Sequence, residues 1–118
     1  MTKRRIVVVG ASRGMGAALV ELLSANASNE ILALSRNTEE LERRFNRLEN
    51  VNVARFDLEQ EVFETASSLF AEFGEIDILI NNAGLLINKP FEALAHEDIA
   101  RSYQVNVIGV METVQAAI

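Results

Sequence analysis

Hydrophobic residues along the chain fall into short apolar runs that alternate with longer amphipathic segments. The runs cover residues 6–9, 31–34 and 76–80, and residues 51–56 instead alternate between apolar and polar side chains with a period near two. Their length and their content of β-branched residues predict strands. In the segments between them, apolar residues recur at spacings of three and four, which predicts helices. The predicted order is therefore β-α-β-α-β-α-β-α, and the last helix runs from about His96 through Ile118.

This alternation predicts an α/β fold with a parallel sheet, because parallel strands need a crossover that a helix can supply. Such crossovers are right-handed and place helices on both faces of the sheet. No internal repeat or linker interrupts the pattern, and the single proline, Pro90, lies in a long loop at residues 81–90. Residues 1–118 are therefore predicted to form a single domain.

Composition narrows the classes of function. The 118 residues are 49% hydrophobic and 24% charged, with a formal net charge of −6. The chain is too apolar for a disordered segment, and its lack of basic excess argues against nucleic acid as a partner. With no cysteine and one histidine, disulfides and cysteine chemistry are excluded and no metal site is predicted. No apolar run approaches the roughly 18 residues of a membrane span, so we expect a cytoplasmic protein without a membrane partner.

A glycine-rich turn lies between the first predicted strand and the first predicted helix. The first glycine allows a tight turn, the second lets backbone N–H groups approach a pyrophosphate, and the third lets the helix pack closely on the strand. Phosphate charge would then lie at the positive end of the helix dipole. The candidate binding residues of this turn are Gly10, Ser12, Arg13, Gly14, Met15 and Gly16.

The spacing of this turn is Gly-x-x-x-Gly-x-Gly, which differs from the Gly-x-Gly-x-x-Gly of most dinucleotide folds. A triphosphate-binding loop would carry Lys after its last glycine, whereas Ala17 follows Gly16 here. The main sequence evidence for nucleotide triphosphate hydrolysis is therefore missing. The alternative to ligand binding is a turn that uses glycine only for its backbone freedom.

Together, the glycine turn and Asn81-Asn82-Ala83-Gly84 after the fourth predicted strand resemble the short-chain dehydrogenase/reductase family. Asp57, after the third strand, and Asn106, in the last helix, match further positions of that family, so the resemblance covers the whole chain. It implies a Rossmann-type doubly wound parallel sheet, with the strand order 3-2-1-4 for this part. It also implies an NAD(P)-dependent oxidoreductase.

The resemblance implies roles for residues at the ends of the third and fourth strands. Asp57 would hydrogen-bond the adenine amino group, and the backbone of Leu58 would help to hold the ring. Asn82, Ala83 and Gly84 would line the cofactor near the nicotinamide ribose, with side-chain amides tying the sheet together. The alternatives are that Asp57 only begins a loop and that the Asn-Asn-Ala-Gly segment is a simple turn.

Charge at the end of the second predicted strand indicates which dinucleotide is preferred. An NAD site places a carboxylate there for the ribose 2′-hydroxyl, whereas an NADP site needs a cation for the 2′-phosphate. Here Ser35 is followed by Arg36, and no carboxylate occurs before Glu39. Arg13 supplies a second cation and Ser12 a hydroxyl, so NADP(H) is preferred over NAD(H). The alternative is that both arginines are solvated surface residues.

Asn106 lies in an Asn-Val-x-Gly pattern that matches the catalytic helix of the family. The resemblance implies that Asn106 is a catalytic residue, which bends this helix and holds a water connected to a catalytic lysine. A polar residue on an apolar helix face would also be costly without a partner. The alternative is an ordinary surface asparagine. Tyr103 does not match the family's proton donor, because Val107 and not a lysine follows it by four positions.

The family's catalytic Ser, Tyr and Lys lie after a fifth strand, so we expect this chain to be the N-terminal portion of a longer fold and inactive by itself. The apolar fourth strand, which would be left as a sheet edge, and the uncapped last helix support that expectation. The predicted function is hydride transfer between NADP(H) and a small carbonyl or alcohol substrate, in a full-length homo-oligomer. The alternative is a non-catalytic dinucleotide-binding or interaction module that assembles through the edge strand and last helix.

Overall fold

A computed structural model, which describes residues 2–118, contains one parallel sheet of four strands. The strands are β1 (Arg4–Val9), β2 (Asn29–Ser35), β3 (Val51–Arg55) and β4 (Ile78–Asn81). Their order in the sheet is β3-β2-β1-β4, and every neighbouring pair is parallel. This confirms the predicted Rossmann-type α/β architecture and the strand order 3-2-1-4.

Helices cover both faces of the sheet, as predicted. They are α1 (Gly14–Ser24), α2 (Thr38–Phe45), α3 (Val62–Phe73), α4 (His96–Tyr103) and α5 (Gly109–Ala117). A short 3-10 turn, Phe91–Ala93, precedes α4. Within the described part of the chain, none of these helices has both the length and the apolar character needed to span a membrane.

The core consists of two hydrophobic layers, one on each face of the sheet. Ile6 and Val8 of β1 pack in the layer that α1 and α2 cover, whereas Val7 and Val9 pack in the layer under α3. Successive side chains of a strand point to opposite faces, so both sets are buried. This explains why β1 and β2 contain continuous apolar runs, whereas β3, at the edge of the sheet, alternates with polar residues.

Several element boundaries differ from the prediction, and β1 and β2 each begin two residues earlier, at Arg4 and Asn29. β4 begins at Ile78 and not at Ile76, because the Asp77 carboxylate accepts the hydrogen bond of the Arg5 N–H at 2.8 Å, where a backbone carbonyl would continue the ladder. The last helix is also not continuous. A π-helical segment, Gln104–Ile108, separates α4 from α5.

The parallel arrangement brings the carboxyl ends of all four strands to one edge of the sheet. The turn after β1, Arg36 after β2, Asp57 after β3 and Asn82 after β4 therefore lie along that edge. In open α/β sheets, ligands bind in the crevice outside these carboxyl ends. The fold thus brings candidate residues from four separate segments of the sequence to the same edge of the sheet.

We expect Leu41→Ala in α2 to lower the free energy of unfolding by about 2 to 5 kcal/mol, because it leaves a cavity in a packed layer. The Leu41 side chain is completely buried. Leu22→Ala in α1 is the matched control, since Leu22 is 72% exposed and its loss should change stability by no more than about 0.5 kcal/mol. Urea denaturation of both variants measures the difference. Equal losses would contradict the described packing of α2.

Candidate functional site

A cavity of about 240 Å³ lies at the carboxyl edge of the sheet and takes lining residues from the ends of all four strands. Its lining includes most of the residues predicted to bind a cofactor: Gly10, Ser12, Arg13, Arg36, Asp57, Leu58, Asn82, Ala83 and Gly84. The structure therefore brings together residues that are up to 74 positions apart, from Gly10 to Gly84.

The turn after β1 is held by close backbone contacts that only glycine permits. Gly10 has φ +86°, and a Cβ atom there would lie 2.7 Å from the backbone nitrogen of Ala83. The N–H groups of Gly10 and Ala11 both donate to the carbonyl of Leu34 at the end of β2, at 2.8 and 3.0 Å. A Cβ on Gly16 would overlap the carbonyl oxygen of Gly10. The turn therefore keeps its backbone next to the cavity.

Three residues of the predicted glycine turn are not part of the cavity lining. Gly14, with φ +61°, is the first residue of α1, and Gly16 is buried where the helix packs on the turn. Met15 is 71% exposed and follows Gly14 in the first turn of α1. That these three residues bind the cofactor stays a prediction.

The N terminus of α1 is open towards the same edge. Arg13 is the N-cap residue in extended conformation, and within residues 2–118 no side chain caps the first turn. The first N–H groups of a helix have no partners inside the helix, and the helix dipole is positive at this end. The turn thus offers donors and positive potential to an anion.

Asn82 joins the end of β4 to the turn after β1. Its Nδ2 donates to the carbonyl of Gly10 at 3.1 Å, and its backbone N–H donates to Val9 at 3.0 Å. A side-chain amide that ties two strand ends together is what the family resemblance implied for this segment. The contact fixes the position of Ala83, which touches Gly10 from the other side.

The lining carries two cations and two anions. The cations are Arg13 and Arg36, and the anions are Asp57 and Glu59. The Asp57 carboxylate accepts a hydrogen bond from the backbone N–H of Glu59 at 2.9 Å and lies 3.8 Å from Arg55. Asp57 is thereby held in a short loop turn directly after β3.

Glu59 is the functional candidate that the sequence did not indicate. Its carboxylate accepts from Nε and Nη2 of Arg101 on α4, at 3.0 and 3.3 Å, and lies 3.8 Å from Nη1 of Arg36. The hydrogen bond from Arg101 lowers the pKa of the Glu59 carboxyl and raises the pKa of the Arg101 guanidinium. Glu59 is therefore ionised throughout the neutral range.

Other lining residues also escaped the sequence analysis: Val9, Ser35, Phe56, Leu85 and Val105. Three of them, Val9, Ser35 and Phe56, lie at or directly after the end of a strand. Their position beside the cavity could therefore have been inferred from the topology. Leu85 and Val105 carry no such signal, because they meet the cavity only through the packing of the loop after β4 and the π-helical segment.

Asn106 does not line the cavity but clamps a residue that does. Its Oδ1 accepts from the backbone N–H of Leu85 at 2.8 Å, and its Nδ2 donates to the carbonyl of Leu85 at 2.9 Å. Asn106 lies in the π-helical segment, a distortion that occurs often at functional sites. The residue is exposed, so the cost of burial does not account for this pairing.

Among the residues that the structure describes, no three His, Cys, Asp or Glu side chains are grouped as metal ligands. The site offers a ligand its backbone donors, two arginines, two carboxylates and polar side chains. The backbone donors suit an anionic group held at the N terminus of α1.

Comparisons with known proteins agree with this architecture. A sequence profile of a family described as short chain dehydrogenase matches residues 4–118. The short-chain dehydrogenase anuI of Penicillium roqueforti is 32% identical over 117 residues, which are 93% of this chain and 46% of that protein. Human L-xylulose reductase is 29% identical over 95% of this chain and 45% of that protein.

Solved structures show the same relationship. An alcohol dehydrogenase from the archaeon Thermococcus sibiricus, complexed with 5-hydroxy-NADP, superposes with a TM-score of 0.85 and 29% identity. The match covers 97% of this chain and 51% of the archaeal one. The chain thus spans about half the length of the relatives that it matches. The fold, the glycine turn and a sequence match over nearly the whole chain show that it belongs to the short-chain dehydrogenase family.

Proposed function

We propose that this chain binds NADP(H) in the cavity at the carboxyl edge of the sheet and supplies the cofactor-binding part of an oxidoreductase. The observation that carries the proposal is the convergence of four strand ends on one cavity, next to an uncapped helix N terminus. When bound, the cofactor supplies hydride exchange with a carbonyl or alcohol carbon. The residues of this chain bind and orient it.

The pyrophosphate would be held at the turn after β1. Gly10 and Gly16 keep the backbone close, and the N–H groups of Gly14 and Met15 belong to the open first turn of α1. The Ser12 hydroxyl, which lines the cavity, adds a donor. The positive end of the α1 dipole favours the negative charge.

The adenine would lie beside Asp57 and Leu58. One Asp57 oxygen already accepts from the backbone of Glu59, and the other lies near Arg55, so the carboxylate is oriented before a ligand arrives. The buried Leu58 side chain belongs to the hydrophobic layer and holds the loop backbone in place. Asn82, Ala83 and Gly84 line the opposite part of the cavity, where the nicotinamide ribose would lie.

The cations of the lining support a preference for NADP(H) over NAD(H). Arg36 directly follows β2, where an NAD site carries a carboxylate, and its side chain is 63% exposed. Arg13 lines the same cavity and contacts no carboxylate within residues 2–118. Both guanidinium groups can bind phosphate through paired hydrogen bonds. The NADP derivative bound by the 29% identical alcohol dehydrogenase supports the same assignment.

Asn106 is proposed to act as a positioning residue for the reaction. Both atoms of its amide are used by the backbone of Leu85, which fixes the loop that follows Gly84. A link from Asn106 to a catalytic lysine through a water stays a prediction. Carbonyl or alcohol substrates, a homo-oligomer and a cytoplasmic location are likewise proposals for the whole protein, because the chain spans about half of its relatives.

The 2′-phosphate assignment predicts a reversal of cofactor preference in Arg36→Asp. Loss of charged hydrogen bonds and repulsion by the new carboxylate should weaken NADPH binding about tenfold or more, with NADH binding unchanged or improved. Titration of each cofactor by its fluorescence measures both constants. Arg43→Asp, at an exposed position of α2, has the same charge change and should leave both constants unchanged.

Two results would contradict this assignment. One is a wild-type chain that binds NADH as tightly as NADPH. The other is an Arg36→Asp variant with unchanged affinity for NADPH.

A second prediction separates binding from catalysis. The 118 residues prepared alone should bind NADPH without reducing a panel of aldehydes and ketones, because neither Lys3 nor Lys89 follows a tyrosine by four positions. Loss of NADPH absorbance is the measurement, with the protein expressed from its own gene as the parallel sample. A rate well above solvent background in the 118 residues would refute the prediction. Binding without turnover in both samples would favour a non-catalytic binding module.

A further inference from the structure

The two carboxylates of the cavity lining present an electrostatic problem for a phosphate-binding site. Asp57 and Glu59 together balance the charge of Arg13 and Arg36, so the lining taken alone has no excess of positive charge. A ligand with an additional phosphate would gain little from such a site. Two arginines outside the lining, Arg55 and Arg101, compensate the charge of these carboxylates.

Each carboxylate has an arginine partner from outside the lining. Asp57 lies 3.8 Å from Arg55 of β3, and Glu59 is bound by Arg101 of α4. Arg101 offers its guanidinium as a fork, with Nε 3.0 Å from Oε1 and Nη2 3.3 Å from Oε2 of Glu59. This two-point contact is the geometry in which guanidinium binds carboxylate most strongly.

Glu59 is shared unequally between two arginines. Its contact with Arg36 is a single approach of 3.8 Å, longer than either contact with Arg101. The Arg36 side chain is also more exposed than that of Arg101, at 63% against 47%. Arg101 is therefore the main partner of Glu59, and the weaker contact of Arg36 can be exchanged for a contact with a ligand.

The position of Arg101 depends on contacts that anchor α4 to the rest of the chain. Gln104, which follows α4, donates from Nε2 to the carbonyl of Leu58 at 3.0 Å, next to Glu59 in the same loop. At the other end of α4, the Asp98 carboxylate accepts from the backbone N–H of Ala95 at 2.9 Å and from Lys89 at 2.7 Å. The guanidinium thus approaches Glu59 from an ordered helix.

We propose that Arg101, through Glu59, is a specificity-determining positioning residue that sets the discrimination between NADP(H) and NAD(H). The proposal rests on the proposed cofactor-binding function. With Arg101 in place, the charge of Glu59 is neutralised and Arg36 is available to the 2′-phosphate. Without Arg101, Glu59 binds Arg36 and repels the phosphate. NAD(H) has no phosphate at this position and is insensitive to the change.

Charge-removing variants of both partners test the proposal, because they shift cofactor preference in opposite directions. Arg101→Gln should lower the ratio of NADPH to NADH affinity about fivefold, the upper range for an exposed ion pair. Glu59→Gln should raise that ratio, since Arg101 then adds its uncompensated charge. The double variant should return to the wild-type ratio. Titration calorimetry with each cofactor on the protein expressed from its own gene gives the constants.

Two controls separate specificity from mere structure. Lys3→Gln removes a cation that also forms an exposed ion pair, with Glu30, but lies outside the cavity and makes no contact with α4, and it should leave the affinity ratio unchanged. Arg101→Lys keeps the charge without the fork and should restore most of the ratio. The effect of Arg101→Gln should also shrink at high salt, because exposed charges are screened. Thermal unfolding of every variant establishes that each is folded.

The outcomes distinguish this inference from the function on which it rests. If Arg101→Gln weakens both cofactors equally, or if the double variant keeps the Arg101→Gln ratio, the pair is structural only and the inference is wrong. If the wild-type protein binds neither NADPH nor NADH, the proposed function fails and the inference falls with it. Opposite shifts in the single variants, with recovery in the double variant, would establish the role of Arg101.

Discussion

The structure depends on one close approach, that of the turn after β1 to the segment after β4. Gly10 lies so near to Ala83 that a side chain at that position would penetrate the backbone, and Asn82 closes the contact with a hydrogen bond to the carbonyl of Gly10. Packing of this kind requires glycine on one side and a donor amide on the other. It also sets the direction in which α1 leaves the sheet, and therefore where the open end of the helix points.

The electrostatics of the site are built on this arrangement. Helix N termini and arginines provide positive potential, yet the loop after β3 brings two carboxylates to the same cavity. Arg55 of β3 and Arg101 of α4 form ion pairs with those carboxylates. These two arginines do not line the cavity, but they change the charge of residues that do. The charges around the cavity therefore form a network of ion pairs and are not isolated residues.

Sequence patterns were sufficient for the elements and their order. The apolar runs that became β1 and β2 were recognised because residues buried on both faces leave no polar alternation, whereas β3 was recognised by its alternation with a period near two. The glycine turn was recognised because its position between strand and helix restricts what it can do. The family resemblance implied a bend of the last helix at Asn106, but the π-helical form of that break was not foreseen, and it lies where Asn106 contacts Leu85, 21 positions away. The start of β4 was missed for a similar reason, because the Asp77 carboxylate replaces a backbone acceptor opposite Arg5.

The sequence determined the α/β class and the order of the elements along the chain through local periodicity, and the family resemblance of its glycine turn and its Asn-Asn-Ala-Gly segment implied the strand order and most of the residues at the carboxyl edge. Only the tertiary structure decided which side chains share a cavity and which charges compensate each other. Glu59 and Arg101 illustrate this, because they lie 42 residues apart and neither belongs to a recognisable motif. Their pairing results from the packing of α4 against the loop after β3. The strength of such an interaction depends on the distance between the two charges in space, and sequence patterns do not contain this distance.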